Sequence, residues 1–262
     1  MMLYDLSLDQ IYAQMSHYLL VMARVAALLH TSPIFSEKSV SARLRAGLTL
    51  LITLLLGSLL PNTGIELFAW EGIWTFLKQL VIGFAMGLTT QFLFSAVRLS
   101  GEIIGMQMGL SFATFFEPGS GSSPVISRIL NVLATLLFLA FDGHLWMISM
   151  LAKTFYILPV TADPIHAGGM LFLVSHAGLI FSQGLILGMP IIALLLCVNL
   201  ILALLNRLTP QLSIFVIGFP LTLSFGMVAL LLMIQNLSPF IEHLMVSGFD
   251  NLQGLLNALA WY

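Results

Sequence analysis

Arg98 and Glu102 stand four residues apart in a largely apolar stretch. On a helix that spacing puts both side chains on one face, where they can pair, although arginine before glutamate is the weaker order. Two readings stay open. One is a local ion pair that makes a charged helix end tolerable near lipid. The other is a ring of charge at the mouth of a pore. Asp142 lies inside another apolar run, in Phe141-Asp142-Gly143-His144. A carboxylate within a membrane is a functional candidate by default. Asp-Gly is equally a turn signal, so an interfacial turn stands beside that reading. A metal site is not expected, because Asp142 and His144 have no obvious further ligands nearby.

A different chemistry is offered by Gly109-Leu110-Ser111-Phe112-Ala113-Thr114-Phe115-Phe116. Three phenylalanines precede a loop rich in Pro, Gly and Ser, Glu117-Pro118-Gly119-Ser120-Gly121-Ser122-Ser123-Pro124. They suit core packing, and they equally suit an apolar constriction that closes a wide pore by excluding water. Met106 and Met108 adjoin the segment. Methionine is flexible enough to seal around an irregular passenger, or simply to fill gaps. Signatures of catalysis are absent: there is no His-Glu-x-x-His, no phosphate-binding Gly-Lys-Ser/Thr loop and no Gly-x-Ser-x-Gly elbow. No metal or other cofactor is called for.

The elements that must position these residues are apolar helices. Of the 262 residues 59% are apolar and 8% charged, against about 25% charge in a typical soluble domain. The net charge of −2 does not recommend nucleic acid, which wants a basic stripe. Cys197 is the lone cysteine and reads as a small packed hydrophobe. The N-terminus has Asp5 and Asp9 and no basic residue before Arg24, so the basic region of a cleavable signal is not seen.

A span needs roughly 20 apolar residues, and six stretches qualify as candidates: 11–29, 44–60, 73–94, 129–150, 179–205 and 212–237. Pro190 and Pro220 fall inside the last two, where packed membrane helices tolerate them as kinks. No proline interrupts Ile73–Gly109, so the third helix is expected to run on to roughly 55 Å. The short link Asn206-Arg207-Leu208-Thr209-Pro210-Gln211 should join the last two as an antiparallel hairpin. The whole chain, 1–262, reads as one helical domain. Basic residues set orientation. Arg24, Lys38, Arg43, Arg45, Arg98, Arg128 and Arg207 gather on one side, and Lys78 and Lys153 fall toward the other. The simple outcome is six crossings with both termini outside.

Glycines recur four apart at Gly83/Gly87, Gly101/Gly105, Gly105/Gly109 and Gly184/Gly188. Such pairs let helix backbones approach closely, either within the chain or against a partner subunit.

Taken together these motifs resemble the FliR family of flagellar export-gate subunits and, less closely, its counterparts in virulence type III secretion. The most specific piece is Asn206-Arg207-Leu208-Thr209-Pro210-Gln211, continuing through Ile214 and Gly218 to Pro220. The second is Arg98-Leu99-Ser100-Gly101-Glu102-Ile103-Ile104-Gly105-Met106-Gln107-Met108-Gly109, running on to Pro118. Others are Pro33, Glu37, Arg43, Arg45 and Gly47 in the first loop, and Phe141-Asp142-Gly143-His144.

The resemblance implies an all-α membrane protein without enzymatic activity. Its helices would pack as tilted, bent hairpins in a hetero-oligomeric gate, partly raised above the bilayer plane. It implies assembly with FliP and FliQ, with FlhA and FlhB as separate nearby proteins, and passage of unfolded flagellar proteins out of the cytoplasm. The location would be the bacterial inner membrane, in the flagellar basal body. The segment 110–122 would plug the closed pore, with Leu110, Phe112, Phe115 and Phe116 at the constriction. Arg98, Glu102, Gln107 and Asp142 would brace the gate, and Asn206, Arg207, Pro210 and Gln211 would form a hairpin at the cytoplasmic entrance. A reading of another class, a proton-coupled transporter of small solutes using Asp142 and Glu102, is kept beside it.

Overall fold

The computed structural model describes residues 8–37, 40–110, 124–208 and 214–260. Among them the chain is helical without strands. The helices are α1 (Leu8–Thr31), α2 (Ala42–Leu59), α3 (Trp70–Gln107), α4 (Val125–Ala140), α5 (Gly143–Ile157), α6 (Ala167–His176), α7 (Leu179–Leu208) and α8 (Ile214–Leu259).

The proline-free stretch behaves as its sequence predicts. The helix α3 runs unbroken for 38 residues, about 57 Å. The last helix goes further than expected. Hydropathy suggests an end near Leu237, yet α8 continues for 46 residues, through Pro220 and Pro239. Beyond Pro239 it is held by buried Ile241, Leu244, Leu252, Leu255 and Leu256, and packing outweighs the local cost of proline.

The fourth stretch is not one helix. It stops at Ala140, and Asp142 takes a left-handed φ of 56° before α5 begins at Gly143. Among the described residues four helices are long and apolar enough to cross a membrane, or five if the broken pair α4–α5 counts as one span, so the count of about six holds only approximately. The helix α1 drops out because Gln14, His17 and Arg24 dilute its apolar character.

The chain falls into two compact units. The first comprises Met1–Gln91, His144–His176 and Gly248–Tyr262, and the second Phe92–Gly143 and Ala177–Ser247. In the first unit α1 packs on the early part of α3, with Leu20, Val25, Leu28, Ile82 and Met86 wholly buried. Gly83 and Gly87 make that approach possible. A Cβ on Gly83 would collide with the Arg24 carbonyl, and one on Gly87 would come within 2.5 Å of Thr31 Cβ. In the second unit the core contains Phe94, Ile104, Met108, Leu130, Phe138, Ile191 and Leu195. Phe94 and Phe138 lie with ring centroids 5.5 Å apart.

Candidate functional site

The second unit builds the end of α3 and the root of the segment that follows it. The helix stops at a Schellman motif. Gly109 takes a left-handed φ of 81°. Its N–H donates to the Met106 carbonyl at 3.1 Å, and the Leu110 N–H donates to the Gly105 carbonyl at 3.0 Å. This is the paired bonding that satisfies carbonyls left over at a helix C-terminus, and it wants glycine at the left-handed position. The Met108 carbonyl accepts from Thr222 Oγ1 of α8 at 3.4 Å. One turn later on α8, Gly226 leaves room for the Met108 side chain, since a Cβ there would lie 2.6 Å from Met108 Cγ. Met108 is therefore fully buried while Met106 is 55% exposed. Gln107 Oε1 accepts from Asn199 Nδ2 of α7 at 3.5 Å.

The far end of the segment returns to the same place. Pro124 precedes α4, and its carbonyl accepts the Arg128 N–H at 3.1 Å. A Cβ on Gly105 would sit 3.5 Å from Pro124 Cβ, and one on Gly101 would overlap the backbone of Ser127. Ser127 Oγ donates to the Arg98 carbonyl at 3.0 Å. The glycine face of α3 thus seats the start of α4, so residues 110 and 124 emerge from one fixed base. On α7, Gly184 and Gly188 face Ala96 and Ser100 of α3. Gly83, Gly87, Gly101, Gly184 and Gly188 thus each stand against another helix of the same chain.

The polar candidates are distributed unevenly around this base. Arg98 and Glu102 are half-buried. Arg98 Nη2 donates to Ser95 Oγ at 3.4 Å. Asp142 is exposed in the turn between α4 and α5. Asn206 and Arg207 are exposed at the end of α7. Leu110 is half-buried, whereas Phe112, Phe115 and Phe116, and with them Pro210 and Gln211, lie outside the described residues. No group of three or more metal-ligating side chains occurs among the described residues.

The first unit holds a polar site that sequence reasoning missed. Arg24 is fully buried. Its Nε donates to Gln79 Oε1 at 2.7 Å, Nη1 to Thr154 Oγ1 at 3.0 Å and Nη2 to the Leu158 carbonyl at 2.8 Å. The guanidinium carbon lies 4.1 Å from the centre of the Phe155 ring. Every partner is neutral. The cation is held by acceptors from α3 and α5, by the negative end of α5 where carbonyls are left over, and by an aromatic face. The neighbouring Lys78 Nζ donates to the carbonyls of Thr161 and Asp163, at 3.2 and 2.9 Å. Two cations from different helices therefore fix the backbone that leaves α5.

This corrects the charge count. Arg24 and Lys78 do not belong to opposite sides, because Arg24 bonds the residue next to Lys78. Arg24 carries no weight as a loop charge, being desolvated and bonded inside the helices. The available signal was a cation within an apolar stretch, which ought to have a partner.

Residues 15–248 match the family described as Bacterial export proteins, family 1. The flagellar biosynthetic protein FliR of Pectobacterium carotovorum subsp. carotovorum is 50% identical over 238 residues, covering 90% of this chain and 91% of that one. The FliR of Escherichia coli (strain K12) is 46% identical over 252 residues, covering 96% and 97%. That of Bacillus subtilis (strain 168) is 25% identical over 244 residues, covering 91% and 94%. The chain belongs to the family of Bacterial export proteins, family 1, and its relatives there are flagellar biosynthetic proteins FliR.

Proposed function

We propose that this chain is a non-enzymatic, pore-forming subunit of the flagellar type III export gate, which assembles with FliP and FliQ in the inner membrane at the basal body. Unfolded flagellar proteins would pass through the shared pore. The segment 110–122 would close it at rest, with Leu110 at its root and Phe112, Phe115 and Phe116 as its apolar part. FlhA and FlhB would lie nearby as separate proteins.

The observation that carries this reading is the fixed base of that segment. A long helix is stopped by a Schellman motif at Gly109, and the chain returns at Pro124 to the same glycine face. A plug that must close and reopen needs a rigid base and a loop whose own contacts can change. The polar residues Arg98, Glu102 and Gln107 sit on the helix that forms the base.

The need for partners is supported by length. The apolar stretches Ala167–Leu208 and Gly218–Leu259 each hold 42 residues, and the most apolar windows in them are only 28% and 33% buried. The unbroken helical stretch Gly218–Leu259 measures about 63 Å, roughly twice the hydrocarbon thickness of a bilayer. Lipid alone cannot cover such a length, so neighbouring apolar helices are the natural cover.

Two experiments test the reading. Co-expression with FliP and FliQ should give a stable complex, and recovery of this chain alone from such cells would sink it. Deleting residues 110–114 should raise leakage of ions or small molecules through the assembled gate, and unchanged leakage would remove the plug from the proposal.

A further inference from the structure

The helix α2 differs from the other candidate spans. It has 18 residues, about 27 Å, which matches the roughly 30 Å of hydrocarbon in a bilayer. It is also the most exposed of them, with 22% of its span buried against 61% for α3. Only its Thr49, Ile52, Thr53 and Gly57 are buried. Alongside it runs an open groove of about 420 Å³, formed with α1 and lined by Met15, Tyr18, Met22, Leu50 and Leu54 among others.

The groove points toward a cation. Arg43, Gly47, Leu50 and Leu54 follow one another at helical spacing on a single face of α2. Arg43 is exposed and stands seven residues before Leu50, about 10 Å along the axis. Between them Gly47 leaves the helix bare, and a Cβ there would meet nothing within 4 Å. A positive head site, a bare step and an apolar channel occur in that order along a helix of bilayer length.

We propose that this stripe is a phospholipid site: an anionic headgroup at Arg43, the glycerol region over Gly47, and an acyl chain in the groove between α1 and α2. A partner helix fits less well, because it would gain nothing from the charge at one end of the apolar channel. The proposal does not depend on the export reading, since it requires only that α2 lies in a bilayer.

The test uses the full chain in nanodiscs of phosphatidylcholine doped with phosphatidylglycerol that carries a diazirine on its acyl chain. Crosslinked positions are mapped by mass spectrometry. Labelling of Met15, Met22 and Leu54 should exceed several-fold that of Leu51 and Leu55, which are exposed on α2 away from the groove. Arg43→Gln should lower groove labelling by about five-fold, the effect of one basic residue on an anionic lipid, and bring it to the level given by a phosphatidylcholine probe. Gly47→Leu should abolish it, and its side chain enters open space, so thermal melting should not change. Equal labelling of groove and outer face overturns the proposal, and so does labelling indifferent to headgroup. Loss of groove labelling when FliP and FliQ are co-expressed also overturns it, and assigns the groove to a partner helix. Should Gly47→Leu lower the melting temperature, the surface change Arg43→Gln still decides the matter.

Discussion

Gly101 of α3 lies against the backbone of Ser127 in α4, closer than any residue with a Cβ could stand. The contact is reinforced, since Ser127 Oγ donates to the Arg98 carbonyl at 3.0 Å. One turn on, Gly105 faces Pro124 at an ordinary van der Waals separation of 3.5 Å. These two glycines of one GxxxG pair therefore predict opposite outcomes. Gly101→Ala must push α4 away and should destabilise by about 1–3 kcal/mol, as overpacking does. Gly105→Ala should be neutral or slightly stabilising, because alanine is the better helix former. Thermal melting of the two variants in detergent gives the comparison. Equal behaviour would mean that α4 is not seated on α3 in this way.

A second prediction concerns Arg24. Its replacement by methionine keeps most of the volume but leaves Gln79, Thr154 and the Leu158 carbonyl without their donor. Each buried group left unsatisfied costs about 1–3 kcal/mol, so Arg24→Met should lower the yield of folded protein strongly. Arg24→Lys keeps the charge but cannot reach three acceptors on two helices with one ammonium. It should recover only part of the loss. Protein level and melting temperature in the membrane fraction measure both. Wild-type stability in Arg24→Met would show that the buried cation is dispensable.

Much of the architecture is legible in the sequence, and the failures have physical causes. The absence of proline between Ile73 and Gly109 foretells α3, Trp70–Gln107, to within three residues at each end. Gly109 reads in the sequence as one of a spaced pair and as the start of the phenylalanine segment, yet it ends the helix, because a glycine after a helix and a glycine inside one look alike in a periodic pattern. Arg24 was counted with the loop charges because its partners are neutral and 55 to 134 residues away. Neither Thr222 nor Gly226 carries a signal of its own, since their roles exist only once α8 meets Met108. Hydropathy ended α8 too early because Pro239 and Glu242 interrupt its apolar run, while the buried leucines beyond them keep it folded.

Asp142 separates the export reading from that of a proton-coupled transporter. It holds a left-handed φ of 56° and is exposed between two helices. Asparagine tolerates that conformation as well as aspartate does, whereas a β-branched residue does not. If the residue serves as a turn, Asp142→Asn should leave motility and secretion unchanged, and Asp142→Val should reduce both, along with protein level, at a cost of about 1–2 kcal/mol. A proton carrier would show the reverse order of sensitivity, with Asp142→Asn inactive yet normally assembled. Swimming halos and secreted flagellin, read against the amount of chain in the membrane, distinguish the two.

Gly109 offers the sharpest test of the base of the proposed plug. An L-residue at its φ of 81° is strained, and the penalty is about 1–2 kcal/mol. The strain can be relieved only by breaking the bonds from the Gly109 and Leu110 N–H groups, which would let the segment after Leu110 leave the helix in another direction. Gly109→Val should therefore loosen closure more than it lowers stability. The expected result is increased ion leakage through the assembled gate with near-normal complex recovery. Gly109→Asn, which accepts the left-handed conformation, should leak less than Gly109→Val. Equal leakage from the two variants, at the wild-type level, would show that the direction in which the chain leaves α3 does not govern closure.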